Sequence, residues 1–446
     1  MQWRAPARRF PVLAIRDFRL LLADRLLAPV SVGFSMVGVS FAVLASTGSA
    51  TDLSYVLAAQ IAPILVFALV GGVAADRFPP QRVIIAANLS IVAAEGAFGL
   101  LVLTGRPALW AMVLLEALNG TGAALFYPAS QALLPRLVPA GLLQEASSLS
   151  RLVMNSGQMI GAAAGGLVVA VVGPGWALTL CAAGMTGTVP LMLAVRGTRG
   201  PSRVPKGAEL ANSSSRNPRS HPKPPGMLAE LREGWTEFRS HTWLWVIVVQ
   251  FCVVMMAWYG GFQVLGPVVA RLRLGGPAAW GAITAADALG LIAGGLLSLR
   301  YTPRRPMVFC VLAGGALALS PLALGLALPL AAICVTTFCL GVAIEVTMVQ
   351  WTVALATRIP RDKLARVSSY DILGSLAATP AGALVAGPLA AAIGVRATEF
   401  GAAALITAVS ALCLIPRDIR AIRGGVSLRA GPRDDVTSEP VPAVPG

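Results

Sequence analysis

The sequence predicts an all-α membrane protein in which twelve transmembrane helices form two six-helix, pseudo-symmetric bundles. Three observations support this fold class: the composition, the number of apolar segments and an internal repeat. Of the 446 residues, 56% are hydrophobic and 12% are charged, and the mean hydropathy is +0.74. A soluble domain of this size cannot bury so much apolar surface, whereas helices in a bilayer expose it to lipid.

Apolar segments long enough to cross about 30 Å of hydrocarbon recur twelve times along the chain. In the first half the predicted spans are 19–46, 52–75, 82–104, 108–135, 142–172 and 174–195. In the second half they are 243–270, 277–299, 306–326, 328–357, 364–393 and 395–415. Equal numbers of spans in the two halves are what a duplicated bundle requires.

The distribution of basic residues predicts the orientation of these helices. With both termini in the cytoplasm, the cytoplasmic segments carry 29 of the 35 Lys and Arg residues, and the external turns carry four, at positions 106, 271, 273 and 396. Multi-pass membrane proteins concentrate basic residues on the cytoplasmic side. We therefore predict a plasma-membrane protein whose net charge of +15 faces membrane lipid and not nucleic acid.

The division of the chain follows from the spans. We predict an N-terminal bundle over 1–195, a cytoplasmic linker over 196–242, a C-terminal bundle over 243–416 and a disordered cytoplasmic tail over 417–446. The linker is rich in Ser and Pro at first. Its last part predicts an amphipathic helix on the inner membrane surface, because apolar residues recur there at helical spacing. These residues are Met227, Leu228, Leu231, Trp235 and Phe238.

The two halves are similar in sequence at a nearly constant offset. GGVAADRFPPQR from Gly71 matches GGLLSLRYTPRR from Gly294, and three glycine pairs follow in the same register. The pairs are Gly120 with Gly341, Gly161 with Gly382, and Gly166 with Gly387. A parallel duplication of six helices is typical of transporters whose substrate path lies between the halves.

A charged motif follows the second span. Gly72, Asp76 and Arg77, followed by Arg82, resemble the cytoplasmic signature of the major facilitator superfamily, and the Pro-Pro pair at 79–80 departs from it. The resemblance implies the twelve-helix fold and a secondary transporter. It also implies that the Asp-Arg pair acts as a latch between the halves on the cytoplasmic side.

A glycine motif lies in the fifth span. Gly157, Gly161 and Gly165 resemble the antiporter signature of that superfamily, with Ala162 replacing its proline. The resemblance implies an exporter. The alternative is close helix packing without a role in coupling, since small residues at this spacing let helices approach.

Further motifs resemble one branch of the superfamily. Phe126-Tyr-Pro-Ala129 and Arg366-Val-Ser-Ser-Tyr-Asp371 look like the branch that contains enterobactin exporters and macrolide-efflux proteins. The resemblance implies efflux of a moderately hydrophobic small molecule, such as an antibiotic, a natural product or a siderophore. Asp371 is expected to act in gating, paired with Arg366 or with the basic cluster at 300–305.

Ionisable side chains inside the spans need a functional or structural reason, because each costs several kcal/mol in hydrocarbon. Both histidines lie at 221 and 241, outside the membrane interior, so proton coupling requires carboxylates. We predict coupling at Glu116 and Glu345, with Asp24 and Arg25.

Glu116 stands where a superfamily motif has an arginine, and Arg25 is its expected partner. Glu345 has three interpretations: a proton site, an anchor for a cationic substrate, or a structural carboxylate. Glu95 and Asp287 lie on helices that the resemblance makes peripheral, and Arg151 is a further cation within a span.

Aromatic, methionine and amide side chains on the predicted cavity-lining helices are candidates for substrate binding. Each could instead face lipid. The candidates are Phe34, Asn119, Phe126, Tyr127, Met255, Trp258, Tyr259, Gln263, Met348, Gln350 and Trp351.

The sequence therefore predicts a proton-coupled exporter that acts as a monomer, is not an enzyme and uses neither a cofactor nor a metal. An ATP-driven pump finds no support, because none of the three lysines stands in a phosphate-binding GxxxxGK[ST] loop. The alternatives are an importer, a lysolipid translocator, or a sensor that keeps the fold without transporting.

Overall fold

The computed structural model describes residues 11–77, 79–196 and 235–421. Within these ranges it describes the side chains except at 68–77, 127, 140, 361–362, 364–366, 417 and 421. Most of the predicted linker and tail therefore lie outside the described residues, as do the side chains of Gly72, Asp76, Arg77 and Tyr127.

Within the described residues, twelve helices are long and apolar enough to span a membrane, which confirms the predicted fold class. The first six are α1 (Arg16–Thr47), α2 (Ala50–Arg77), α3 (Pro80–Leu103), α4 (Leu109–Leu137), α5 (Leu143–Val171) and α6 (Pro174–Ala194). The second six are α7 (Thr242–Leu274), α8 (Pro277–Ser298), α9 (Pro306–Gly325), α10 (Leu330–Arg358), α11 (Arg361–Leu376 and Thr379–Ile393) and α12 (Val395–Cys413).

The helices pack in the same order in both halves. In the first half α1 packs on α5 and α6, α2 on α4, and α3 on α4 and α6. In the second half α7 packs on α11 and α12, α8 on α10, and α9 on α10 and α12. The halves meet through α5 against α8 and α2 against α11. This correspondence is the parallel duplication that the sequence repeat predicts.

The repeated glycines occupy equivalent places in the two halves. A side chain at Gly161 would meet the backbone of Val30 on α1, and one at Gly382 would meet the backbone of Met256 on α7. The pair Gly120 and Gly341 lies against Gln60 on α2 and Asp287 on α8 in the same way. Only glycine lets these backbones come so close, so the repeat encodes the helix crossings within each bundle.

The third glycine pair lies at the contacts between the halves. Gly166 on α5 faces Gly281 on α8, and Gly387 on α11 faces the start of α2 at Ala50 and Ser54. Two seams of equivalent geometry therefore join the bundles, one for each copy of the repeat.

The helix α7 contains two π-helical segments, Tyr259–Val264 and Ala270–Leu274. Wider turns of this kind interrupt the regular hydrogen-bond ladder and are frequent at functional sites. Tyr259 and Gln263, two of the predicted substrate residues, lie in the first of them.

The described part of the predicted amphipathic helix, residues 235–240, is helical. This segment packs on the second six helices, because the ring centroid of Tyr370 on α11 lies 5.5 Å from that of Trp235. Within the segment, the rings of Trp235 and Phe238 stack with centroids 5.6 Å apart. Glu237 accepts a hydrogen bond of 2.9 Å from Lys363. Phe238 is buried by these contacts and is therefore not available to the membrane surface, where the sequence analysis expected it.

Candidate functional site

The two ends of the helix bundle differ. We call the end where α1 is followed by α2 the α1–α2 end, and the opposite end, where α4 is followed by α5, the α4–α5 end. At the α1–α2 end Arg271 of α7 donates a hydrogen bond to the backbone oxygen of Leu44 on α1. The backbone nitrogen of Gly387 donates to the hydroxyl of Ser54, at 2.7 Å. The halves are thus held together at this end.

A shared hydrophobic core reinforces the same end. It contains Val43 and Leu44 of α1, Leu265 of α7 and Ala386 of α11. Because residues of both halves are buried in one cluster, separating the halves here would expose apolar side chains together with the seam glycines.

A cavity of about 380 Å³ lies between the halves toward the α4–α5 end. Helices α1, α4 and α5 of the first half and α10 of the second half line it. The lining residues are Arg25, Phe126, Ser130, Gln131, Leu134, Ser147, Arg151, Met154, Asn155 and Glu345. Its size is that of a small organic molecule.

Three of the described charged side chains line the cavity, and we call Arg25, Arg151 and Glu345 the cavity centre. Arg151 lies 3.5 Å from a carboxylate oxygen of Glu345, and their side chains are 64% and 13% exposed. Arg25 is buried and donates to the backbone and hydroxyl oxygens of Ser130, at 3.1 and 3.3 Å. The contact between Arg151 and Glu345 joins the two halves across the cavity.

A second polar group lies inside the first half, and we call Ser35, Glu95, Glu116 and Asn119 the buried centre. One oxygen of Glu95 accepts hydrogen bonds from the Ser35 hydroxyl at 2.5 Å and from the Asn119 amide at 2.6 Å. The same amide nitrogen lies 3.2 Å from a carboxylate oxygen of Glu116. Both carboxylates are 1% exposed, and no described cation forms an ion pair with either.

The predicted pairing of Arg25 with Glu116 is wrong. Arg25 bonds to Ser130, which follows Glu116 by fourteen residues on the same helix, or about 21 Å at 1.5 Å per residue. The two groups therefore lie at different depths of the bundle. Glu116 shares Asn119 with Glu95, a residue that the sequence analysis regarded as peripheral.

Two further carboxylates are buried without a hydrogen-bond partner among the described residues. Asp24 precedes Arg25 on α1, and neither of its oxygens accepts a hydrogen bond; the same is true of Glu399 on α12. Glu399 was not among the residues predicted from the sequence. Its position within the twelfth apolar segment was the available signal.

The predicted substrate residues are dispersed. Phe126 lines the cavity, whereas Asn119 belongs to the buried centre. Phe34, Met255, Trp258 and Tyr259 pack against hydrophobic clusters. Gln350 is buried, Gln263 is partly buried and Met348 is partly exposed. Trp351 donates from its ring nitrogen to Asp371, at 2.8 Å.

The predicted gating residues also have different surroundings. Asp371 accepts hydrogen bonds from Trp351 and Ser375 and forms no ion pair with the described arginines at 300–305. The side chain of Arg366 is outside the described set. Arg82 is exposed at the start of α3. Gly157, Gly161 and Gly165 all face the backbone of α1, which is the close packing that the alternative interpretation expected.

Most of the cavity lining was missed, although a signal existed. Ser130 and Leu134 follow Phe126 at steps of four residues on α4, and Ser147, Arg151 and Asn155 have the same spacing on α5. The row on α5 is polar throughout, and a polar row on one face of an apolar helix indicates a face turned toward a cavity and away from lipid.

Two efflux proteins are similar to this chain in sequence. The macrolide efflux protein A of Streptococcus pyogenes is 22% identical over 410 residues, which cover 90% of this chain and 96% of that protein. The enterobactin exporter of Citrobacter koseri is 27% identical over 387 residues, covering 84% and 85%. These are the two groups that the motifs on α4 and α11 resemble.

Solved structures share the fold. A bacterial homologue of the human lysosomal transporter Spinster, described as inward-facing and unoccupied, has a TM-score of 0.64 and 17% identity, covering 92% of this chain and 99% of that one. A POT family transporter in complex with a thioalcohol-conjugated peptide has a TM-score of 0.68 and 14% identity, covering 90% and 96%.

The sequence motifs, the duplicated helix packing and the cavity between the halves therefore agree with one assignment. The family model of the major facilitator superfamily matches residues 26–320, well over half of the chain. The protein is a multi-pass membrane transporter and not an enzyme. It belongs to the major facilitator superfamily.

Proposed function

We propose that this protein exports a small, moderately hydrophobic molecule from the cytoplasm in exchange for protons, by alternating access of its central cavity. The observation that carries the proposal is the cavity itself. Both halves line it, and it reaches Glu345 in the middle of α10 while the opposite end of the bundle is held shut. A carrier needs one site that is open to one side at a time.

The seams between the halves supply a means of switching. Gly166 against Gly281 and Gly387 against Ser54 are contacts between rigid helices, so the halves can rock about them as bodies. Closing the α4–α5 end would bring α4 and α5 toward α10 and α11. The latch proposed at Asp76 and Arg77 belongs to the α4–α5 end, because α2 ends there.

The orientation belongs to the proposal as well. The concentration of basic residues supports placing the α4–α5 end, both termini and the 196–242 linker in the cytoplasm. The cavity in this conformation would then face the cytoplasm, where an exporter collects its substrate. The proposed division is a bundle over 1–195 and a second over 243–416.

The buried centre supports proton coupling. Two carboxylates that share one amide nitrogen, with no cation paired to either within the described part of the chain, repel each other when both are ionised. Binding a single proton relieves that repulsion, so the group can take up and release a proton without a histidine. Helices α1 and α4 also line the cavity, which connects a change in the buried centre to the substrate site.

The test is substrate-induced proton movement. Everted membrane vesicles that contain the protein are energised by respiration, which acidifies their lumen, and an acridine dye reports the pH difference. Erythromycin, as a macrolide, and enterobactin, as a siderophore, are added in separate experiments. We expect at least one to release protons from the lumen at a rate above that of vesicles without the protein.

Three outcomes would contradict the proposal. Accumulation of the compound in intact cells would identify an importer. Flipping of a fluorescent lysolipid without proton movement would identify a lipid translocator. Saturable binding without flux of any compound would identify a sensor.

A further inference from the structure

The charges that line the cavity are unequal. Among the residues whose side chains the structure describes, two arginines and one glutamate line it, so the cavity centre carries a net charge of +1. Arg151 contacts Glu345 through a single nitrogen, at 3.5 Å. An arginine has five N–H donors in a planar fork, so most of the donors of Arg151 are unused by this contact.

Arg25 is also incompletely satisfied. One terminal nitrogen bonds to Ser130, and the Nε atom is buried without a hydrogen-bond partner among the described residues. A buried guanidinium donor without an acceptor costs free energy. Asp24 is adjacent in the chain, but it does not line the cavity and forms no ion pair with Arg25 within the described residues.

The neutral polar side chains around the arginines also have unused hydrogen-bonding groups. Ser147 and Asn155 on α5 and Gln131 on α4 line the cavity without a hydrogen bond to any other described residue. Each of these side chains can donate at least one hydrogen bond to a ligand. Phe126, Leu134 and Met154 supply an apolar wall beside them. The cavity therefore offers an excess of donors and of positive charge next to a hydrophobic surface.

We propose that the cavity takes an amphipathic organic anion, whose carboxylate or similar pair of anionic oxygens is held by Arg151 and Arg25 while its apolar body lies on Phe126, Leu134 and Met154. This inference rests on the proposed function, because it names the substrate class of that site. The planar fork of an arginine matches a carboxylate in a bidentate contact. Glu345 keeps its contact with the other edge of Arg151 and excludes a second anion.

Cysteine protection tests the inference without requiring transport. Met154→Cys places a thiol in the cavity, and its alkylation by N-ethylmaleimide is followed by mass spectrometry of the peptide that contains it. The protein is held in nanodiscs of phosphatidylcholine. Three probes share one apolar body: naphthaleneacetate, the neutral naphthaleneacetamide and the cationic naphthylethylamine.

We expect naphthaleneacetate to protect the thiol at a concentration about tenfold lower than the amide requires, a difference of about 1.4 kcal/mol, because a charge-assisted hydrogen bond is stronger than a neutral one. Arg151→Gln should remove this difference between the probes. Arg358→Gln, an exposed arginine at the end of α10 outside the cavity, should keep it. If Met154→Cys fails to fold, Ser147→Cys reports on the same cavity.

Equal protection by the acid and the amide, or stronger protection by the amine, would overturn the inference. So would protection that appears only when phosphatidylglycerol is added to the nanodiscs, because a lipid phosphate would then be the occupant. The result is separable from the test of function. Proton release without anion preference contradicts the inference alone, and anion preference without proton release for any compound contradicts the exporter alone.

Discussion

The cavity centre and the buried centre both contain carboxylates within the same transmembrane bundle, yet their surroundings are opposite. Glu345 faces an arginine from the other half across an open cavity. Glu95 and Glu116 face each other through Asn119, inside one half, and no cation among the described side chains pairs with them. The first arrangement is exposed and joins the halves, whereas the second is enclosed and joins helices of a single half.

Charge inside a membrane protein can therefore be stabilised in two ways. A salt bridge in a cavity remains solvated, so breaking it costs little, and the unused donors of its arginine stay available to a ligand. The stability of a carboxylate that is buried away from solvent depends on its hydrogen bonds and on its protonation state. We therefore assign substrate recognition to the cavity centre and proton binding to the buried centre.

The largest expected effect is on coupling. Glu116→Gln and Glu95→Gln should each abolish proton release in everted vesicles, because an amide cannot exchange the proton. Substrate binding and energy-independent exchange should persist, since the cavity is unchanged. Glu345→Gln is the matched variant in the cavity centre and should retain proton release.

The opposite result would contradict the assignment of proton binding to the buried centre. Loss of proton release in Glu345→Gln, with retention in Glu116→Gln, would move the proton site into the cavity. Retention in all three variants would leave Asp24, Asp287 and Glu399, or a mechanism that is not driven by protons.

A smaller effect is expected on stability. Asn119→Ala removes the donor that two buried carboxylates share, so it should lower the free energy of unfolding by about 1–3 kcal/mol. Asn155→Ala is the same substitution on the cavity wall, where the amide has no partner among the described residues, and it should change stability little. Thermal unfolding in detergent measures both variants; equal losses would mean that the buried hydrogen bonds do not stabilise the fold.

Breaking the contact between Arg151 and Glu345 should have a weaker effect still. The pair is long and Arg151 is largely exposed, so Arg151→Gln should change the unfolding free energy by no more than about 1 kcal/mol. The same thermal measurement decides this. A loss as large as that of Asn119→Ala would show that the cavity ion pair is a structural element.

The smallest expected effect on stability concerns the contact between Glu237 and Lys363, which lies outside the membrane-spanning segments. The hydrogen bond from Lys363, followed by that from His241, lowers the pKa of Glu237 below its usual 4.5. A depressed pKa stabilises the folded state above pH 4.5, and this contribution is lost as the pH falls through the lower value. Glu237→Gln should cost about 0.5 kcal/mol at pH 7 and less at pH 3, as measured by unfolding at the two pH values. The same cost at both would mean that charge is not involved.

The fold class could be predicted from the sequence because its causes are local or periodic. The length of an apolar segment decides whether a helix can cross a bilayer. The repeated glycines at one offset predicted a duplication, and the structure places each pair at an equivalent helix crossing. Motifs on α2, α4 and α5 were sufficient to indicate the superfamily.

Which charges meet was decided by the tertiary structure. The predicted spans could already have excluded the pair of Arg25 and Glu116: Arg25 lies near the start of α1 and Glu116 near the start of α4, and these helices run in opposite directions, so the two residues are far apart along the bundle axis. The partners of Glu116 could not be predicted in this way. Ser35, Glu95 and Glu116 come to one depth from three helices. The helix and the approximate depth of each residue can be read from the sequence. Its partners depend on the rotation of each helix about its axis, which the close packing at the glycines determines.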